Sequence, residues 1–390
     1  MTDIEHLLFY FLRRGLWGRA DTDDVNVDDG AWDKLFLLSC RHAVTPLVAD
    51  GIAITSLRPR QELWQQWIAM SLRIEIINER MARCGELLVN WLADENISAS
   101  VFKGTSVARW YPEPFHRGNG DIDIVVSSGW NRLERLFLRC GIPFFYESGE
   151  IIVEQPEAFA PFVSEAQAAG GVSRNVFTLP GNEPYRIEFH SACESLYNPF
   201  ADARLKRMSG HEASLYVKRS FSLSGDAPEF YLSCLVLHLR RHVLSYGIGL
   251  KQVCDVAVML CHAGLDMTLL ESLLRRLGAW RFSRVLFGFV EVYLYGMPAP
   301  SRRVSGKDVA LLYSIFMGDG YVLKTQREEM GLREPHAAVR VLRNGWFWIR
   351  RSIRLFRLMP AEAFFFVFGK TYKRLCTIVC KTLKLKYITH

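Results

Sequence analysis

Asp121 and Asp123 stand two residues apart in "RGNGDIDIVVSS" (117–128), a stretch that otherwise reads as a buried strand. In a strand, residues i and i+2 share a face, so both carboxylates point one way and Ile122, Ile124 and Val126 the other. At about 6–7 Å along the strand the two carboxylates repel each other, and a divalent cation between or beside them removes the repulsion. Magnesium suits an all-oxygen site and keeps waters and substrate phosphates in its shell. A pair of such ions can clamp the attacking and leaving oxygens of a phosphoryl-type displacement.

Two further stretches extend this chemistry. "VFKGTS" places Lys103, Gly104, Thr105 and Ser106 directly after an apolar strand. Glycine there lets the backbone turn sharply and approach a phosphate, and the hydroxyls, amides and following helix N-terminus can cradle anionic oxygens. On "YRIEFHSA", Arg186, Glu188 and His190 share one face and Tyr185, Ile187 and Phe189 the other. Glu188 is therefore a candidate third carboxylate, as metal ligand and acceptor of a nucleophile's proton. His238 and His242 lie one helical turn apart. With oxygens already at the metal site and no HExxH pattern, packing and hydrogen bonding near the cleft is their expected role. Lys251 and Asp255 are also at i and i+4, the spacing of a helix salt bridge.

The elements that must position these residues follow from periodicity. Residues 1–95 read as a helical N-terminal region. In it, "AWDKLFLLSCRHAVTPLVADGI" is broken at Pro46, and a long amphipathic helix ends near Asn96. A mixed α/β unit occupies 96–227, with strands expected at 97–102, 121–126, 150–155, 174–179 and 185–192 and a helix closed by Gly141. A helical domain follows over 228–335, then a basic, aromatic-rich tail over 336–390. The fold class expected is α+β: a small mixed sheet flanked by helical regions.

Composition bounds the alternatives. The chain has 390 residues, 49% hydrophobic and 23% charged, which excludes a disordered protein. No apolar run reaches membrane-spanning length, and the opening "MTDIEHLLFYFLRRGLWGR" lacks the basic segment and cleavage site of a signal peptide. Nine scattered cysteines without a CxxC pair suit a reducing cytoplasm and neither a disulfide framework nor a zinc site. Residues 340–390 hold twelve Lys or Arg against one acid, Glu362, so the whole-chain charge of +7 hides a mildly acidic body. This tail mixes its cations with Trp, Phe, Ile and Leu. It fits a helix pair with a solvated basic face or an anionic membrane surface, and it is too apolar for nucleic acid to be expected.

The Gly-Thr turn, the D-x-D strand and the later acid resemble the DNA-polymerase-β-type nucleotidyltransferase superfamily. Over about residues 30–265, "SVFKGTSVARWYPEPFHRGNGDIDIVV", "RIEFHSA" and "LHLRRHVLSYGIGLKQVCDVAVML" are similar to a bacterial family of uncharacterised nucleotidyltransferases. The resemblance implies a magnesium-dependent enzyme that moves NMP from an NTP, most simply ATP, to a hydroxyl acceptor with release of pyrophosphate. It assigns Asp121, Asp123 and Glu188 as catalytic and metal-binding. Lys103, Gly104, Thr105 and Ser106 would form the triphosphate turn, although Gly-Ser or Gly-Gly is commoner in the superfamily. Arg117 would face phosphate or pair with a carboxylate. Lys251 would reach the β and γ phosphates from the helical domain. A small molecule, a glycan precursor or a protein hydroxyl all suit as acceptor. The alternatives are another phosphotransfer on the same scaffold, or a non-catalytic nucleotide-binding protein. The location expected is cytoplasmic, with peripheral contact at the inner membrane face through 340–390 as the reading that the tail adds.

Overall fold

The amphipathic pattern before Asn96 is one continuous helix, α4 (Gln61–Asp94), in the computed structural model of the protein. The structure describes residues 2–18, 25–147, 149–163, 174–177, 185–216, 227–245, 247–298, 304–319 and 337–369. Three helices precede α4: α1 (Asp3–Trp17), α2 (Asp29–Arg41) and α3 (Thr45–Ala53). A capping box between Thr2 and Glu5 starts α1, and the Asp28 carboxylate caps α2. Pro46 does not break the pattern as expected. It sits in the first turn of α3, where its missing N–H is not needed. The break lies just before, at His42–Val44, where Ala43 takes a φ of 54°.

The α/β unit follows as β1 (Ser98–Phe102), α5 (Thr105–Ala108), β2 (Asp121–Ser128), α6 (Trp130–Cys140), β3 (Phe145–Glu147), β4 (Glu150–Val153) and β5 (Arg186–His190). The sheet order is β1-β2-β5-β4-β3. Among the described strands only the β2–β5 pair is parallel. The fold class is thus α+β, a five-stranded mixed sheet flanked by helices. The strand expected at 174–179 is instead a 3-10 turn over Arg174–Phe177, and 178–179 lie outside the described residues. Phe177 is buried behind the sheet, and the Val176 carbonyl accepts a hydrogen bond from the Tyr185 hydroxyl at 2.7 Å. Packing therefore satisfies this segment without a ladder.

Among the described residues the further helices are α7 (Pro199–Tyr216), α8 (Pro228–Ser245), α9 (Leu250–His262), α10 (Met267–Arg276), α11 (Trp280–Phe289, continued by a π-turn over Val290–Leu294), α12 (Gly306–Asp319), α13 (Ala337–Leu355) and α14 (360–369). Two apolar clusters organise them. Behind the sheet, Cys84, Leu88 and Leu92 of α4 and Leu133 and Phe137 of α6 pack on Ile122, Ile124, Ile187 and Phe189. A larger cluster joins α1, α2, α3 and Trp67 of α4 to α8–α14, and takes in Val125 from the other face of β2. The long α4 belongs to both clusters. That face of the sheet carries the acids.

Helices α1 and α3 cross at two glycines. A Cβ on Gly15 would stand 1.8 Å from the Leu47 carbonyl oxygen, and one on Gly51 would stand 1.9 Å from that of Phe11. Both obstacles are backbone, so the helices would have to separate. Gly51→Ala is expected to destabilise the protein by about 1–3 kcal/mol or more, read as a lower denaturant midpoint. Gly306→Ala, with open space around it, is the control that should stay within about 0.5 kcal/mol.

Candidate active site

The β2–β5 register sets Asp121 beside Arg186, Asp123 beside Glu188 and Val125 beside His190. In a parallel pair, register partners point to the same face. Asp121, Asp123, Glu188 and His190 therefore converge, while the alternate residues Ile122, Ile124, Ile187 and Phe189 anchor the strands from behind. They open into a polar cavity of about 470 Å³ whose wall includes Lys103, Gly104 and Arg117 on the sheet side and Arg241, His242 and Lys251 from α8 and α9.

The turn after β1 is strained in the way the sequence suggests. Lys103 has φ 61° and Gly104 φ 47°, ψ −115°. A Cβ on Gly104 would meet the Asn119 side-chain oxygen at 3.2 Å. Only glycine combines this backbone with that approach. The Lys103 N–H donates to the Tyr231 hydroxyl at 3.0 Å, which also bonds the Ser106 hydroxyl at 2.6 Å. Ser106 is buried on this tie to α8, and neither it nor Thr105 lines the cavity. Among the four turn residues, Lys103 and Gly104 face the cavity.

The two aspartates differ sharply. Asp123 is buried, and its Oδ1 accepts from Lys103 Nζ at 3.0 Å and lies 2.8 Å from His190 Nε2. Burial works against its charge, but the Lys103 ammonium and then the His190 hydrogen bond hold its carboxyl well below the usual range. Asp121 makes no such pair among the described residues and opens to the cavity. Loss of bulk water between the cavity walls first, and the Asp123 charge second, push its carboxyl up. Desolvation and then the charges of Asp121 and Asp123 lift Glu188 to about 7. Arg186 Nε lies 2.8 Å from Glu188 Oε1. His190 reaches Glu150 on β4 with Nδ1 at 3.1 Å, so both ring nitrogens face carboxylates. Burial opposes its charge, but the bonds to Asp123 and Glu150 raise it to about 9.

These shifts predict a pH dependence in the metal-free protein. Glu188 binds its proton more tightly when folded, so its contribution falls as pH rises from 4.5 to about 7. His190 contributes fully below 6.5, and that contribution is lost as pH rises through about 9. Both act in the same direction. Below pH 6.5 the buried His42, His238 and His242, whose pKa values desolvation lowers, act the other way. The fall in denaturant midpoint with chelator present is therefore expected between pH 6.5 and 9, and His190→Gln should flatten it. A midpoint that rises with pH between 6.5 and 9 would contradict the assignment.

Asp123, Glu188 and His190 each offer a ligand atom within 4.8 Å of the others. Three acids crowded enough to raise two of their own pKa values have the donor chemistry of a hard-cation site. Asp123 and Glu188 fit a divalent metal, while Asp121, expected as a ligand with them, lies on the same face but outside this close group.

Arg117 and Lys251 divide the roles given to them together. Arg117 is buried and paired bidentately with Asp255, Nε to Oδ1 at 3.0 Å and Nη2 to Oδ2 at 2.6 Å. The Tyr111 hydroxyl adds a 2.7 Å bond to the same Asp255. Asn78 of α4 donates to the Phe115 and Arg117 carbonyls at 2.6 and 2.9 Å, pinning the loop that leads into Asp121. Asp255 is thus not the i+4 partner of Lys251. The Lys251 ammonium makes no hydrogen bond or ion pair among the described residues, and it faces the cavity. Desolvation first, and the Arg117 charge second, lower its pKa.

His238 keeps the expected hydrogen-bonding role. Its Nδ1 meets Glu194 at 2.7 Å, and its ring lies 4.3 Å from that of His242. Glu194 is buried and also takes Arg241 Nη1 at 2.5 Å. Glu150, Glu194, Tyr231 and Arg241 were not legible as site residues in the sequence. His190 carried a signal, since alternation already placed it on the face of Glu188.

A family model described as "Uncharacterised nucleotidyltransferase" matches residues 28–294, a span that contains every residue lining the cavity. No curated protein and no solved structure matches the chain.

Proposed function

The chain belongs to a family of uncharacterised nucleotidyltransferases, and from that membership and the cavity we propose that it transfers NMP from an NTP, ATP first, to a hydroxyl acceptor. The observation that carries this reading is one polar cavity holding three crowded acids, Asp121, Asp123 and Glu188, opposite an ammonium, Lys251, with no protein partner among the described residues. The same arrangement supports placing the protein in the polymerase-β-type superfamily.

The acceptor oxygen attacks the α phosphorus, the bond from that phosphorus to the bridging oxygen breaks, and pyrophosphate leaves. Glu188 takes the acceptor's proton. It is the third carboxylate on the face of Asp121 and Asp123, within the same cavity. Lys103 and the Gly104 turn face the triphosphate, and Lys251 meets its β and γ oxygens from α9. Arg117 holds the loop before Asp121 through Asp255 rather than binding phosphate. Asp121, Asp123 and Glu188 would hold magnesium, which supplies neutralisation of the charge that builds on the transferring group.

The test is pyrophosphate release from each NTP with Mg²⁺ and a lysate-derived acceptor pool, comparing wild type with the aspartate variants. Release of free phosphate, or a phosphorylated product, would replace this reading with a phosphotransferase on the same scaffold. Nucleotide binding without turnover would leave a binding protein. Lys251→Ala should raise the KM for NTP about 10–100-fold, the loss of one hydrogen bond to a charged group, with a smaller change in kcat.

A further inference from the structure

Six large apolar side chains between residues 346 and 368 face water. On α13, Trp346, Ile349 and Ile353 stand at three- and four-residue spacing, with Phe356 just past the helix end. Trp346 is 65% and Ile353 70% exposed. The opposite side of α13, with Trp348, Arg351, Ser352 and Leu355, is buried. On α14, Phe364 and Phe368 are exposed with ring centroids 4.6 Å apart, while Ala363 and Phe366 are buried. Trp348 and Phe366 meet at 5.1 Å, so the two helices join through their inner sides and present their outer sides to solvent. Single exposed apolar residues are ordinary, but a gathered set of this size marks a docking surface.

Charge decides the occupant. Arg350 lies in the same stripe as Ile349 and Ile353 and makes no hydrogen bond or ion pair among the described residues. Arg354 and Arg357 flank it, held by Ser314 and Asp308 at 2.7 and 2.9 Å. Glu362, the one acid in 340–390, is buried and faces Arg240 at 3.3 Å, so it offers no negative charge outward. The sequence after 369 adds Lys370, Lys373, Arg374, Lys381, Lys384 and Lys386 and no acid; these lie outside the described residues. Aromatic and aliphatic side chains beside the exposed Arg350, in a stretch of sequence with twelve Lys or Arg and one buried acid, suit the boundary where acyl chains meet anionic headgroups. A nucleic acid would satisfy the cations but leave Ile349, Ile353 and Phe356 in water. No helix among the described residues is long and apolar enough to cross a membrane.

We propose that the outer face of α13 and α14 docks in the plane of an anionic lipid surface. The test floats the full-length protein with vesicles of phosphatidylcholine alone or with about 30% phosphatidylglycerol, at about 0.1 M and 0.5 M NaCl. Binding should be at least about tenfold tighter on the anionic mixture and weaken with salt. Brominated acyl chains should quench a fluorescence component that Trp346→Phe removes. Replacing Trp346, Ile353, Phe364 and Phe368 together by serine should lower binding about tenfold or more. Pyrophosphate release and the melting temperature should be unchanged, because all four side chains are exposed. Three outcomes would overturn the proposal. One is no preference for the anionic vesicles. Another is undiminished binding by the serine variant. The third is a different occupant, seen either as RNA displacing the vesicles or as a lipid-free dimer that the serine variant abolishes.

Discussion

Asp121→Asn should lower nucleotidyl transfer by about 10²–10³-fold, the loss of one electrostatic group aimed at the reacting centre, and should leave the fold intact. Asp121 opens to the cavity, and its carboxyl is disfavoured there by desolvation and by Asp123. A neutral side chain removes that penalty, so the metal-free variant should be as stable as wild type or slightly more so. Asp123→Asn should lose activity as well, but with the opposite effect on stability. Its carboxylate neutralises Lys103 at 3.0 Å and faces His190 at 2.8 Å, all three being buried or nearly so. Removing it takes the ion-pair partner from Lys103 and leaves His190 with Glu150 and the more distant Glu188, at a cost of about 3–5 kcal/mol. Magnesium should raise the melting temperature of wild type by mass action and that of either variant less. Denaturation with chelator separates the two residues. Equal destabilisation by both substitutions would mean that Asp121, too, has a cationic partner.

Breaking the Arg117–Asp255 pair should give the second large effect. Asp255→Asn leaves a buried guanidinium without its counter-charge and should cost about 3–5 kcal/mol. Arg117→Lys should also be destabilising, because an ammonium cannot reproduce the bidentate fork. The double variant Arg117→Met/Asp255→Leu should recover much of the loss, since no buried charge is then left alone. Activity in the single variants should fall chiefly in kcat, because the pair fixes the loop before Asp121. If instead Asp255→Asn left stability unchanged and raised the KM for NTP as Lys251→Ala does, Arg117 would be a phosphate ligand. The prediction therefore distinguishes the two roles that the sequence left open for this arginine.

Much of the sheet face was legible because a strand has a period of two. The alternation in "DIDIVV" and "YRIEFH" placed Asp121, Asp123, Glu188 and His190 on common faces, and the β2–β5 register brings those faces together. Helix α4 and the Gly141 terminator were legible for a similar reason, since a period near 3.6 and a left-handed cap are local signals. Pro46 misled because proline breaks a helix interior yet suits its first turn. The 174–177 segment misled because an apolar residue such as Phe177 can be buried by packing alone.

The sequence by itself determined the α+β class, the carboxylate face, the glycine at 104 and membership of a nucleotidyltransferase family. Each rests on a local period or a short motif. Only the tertiary structure decided that Arg117 belongs to Asp255, 138 residues away, and that Ser106 is tied to Tyr231, 125 residues away. It alone left Lys251 facing the cavity and set Glu150 against His190. These pairings are choices among many possible charge partners. Residue type says that a buried charge needs a partner, but which partner depends on how distant elements pack.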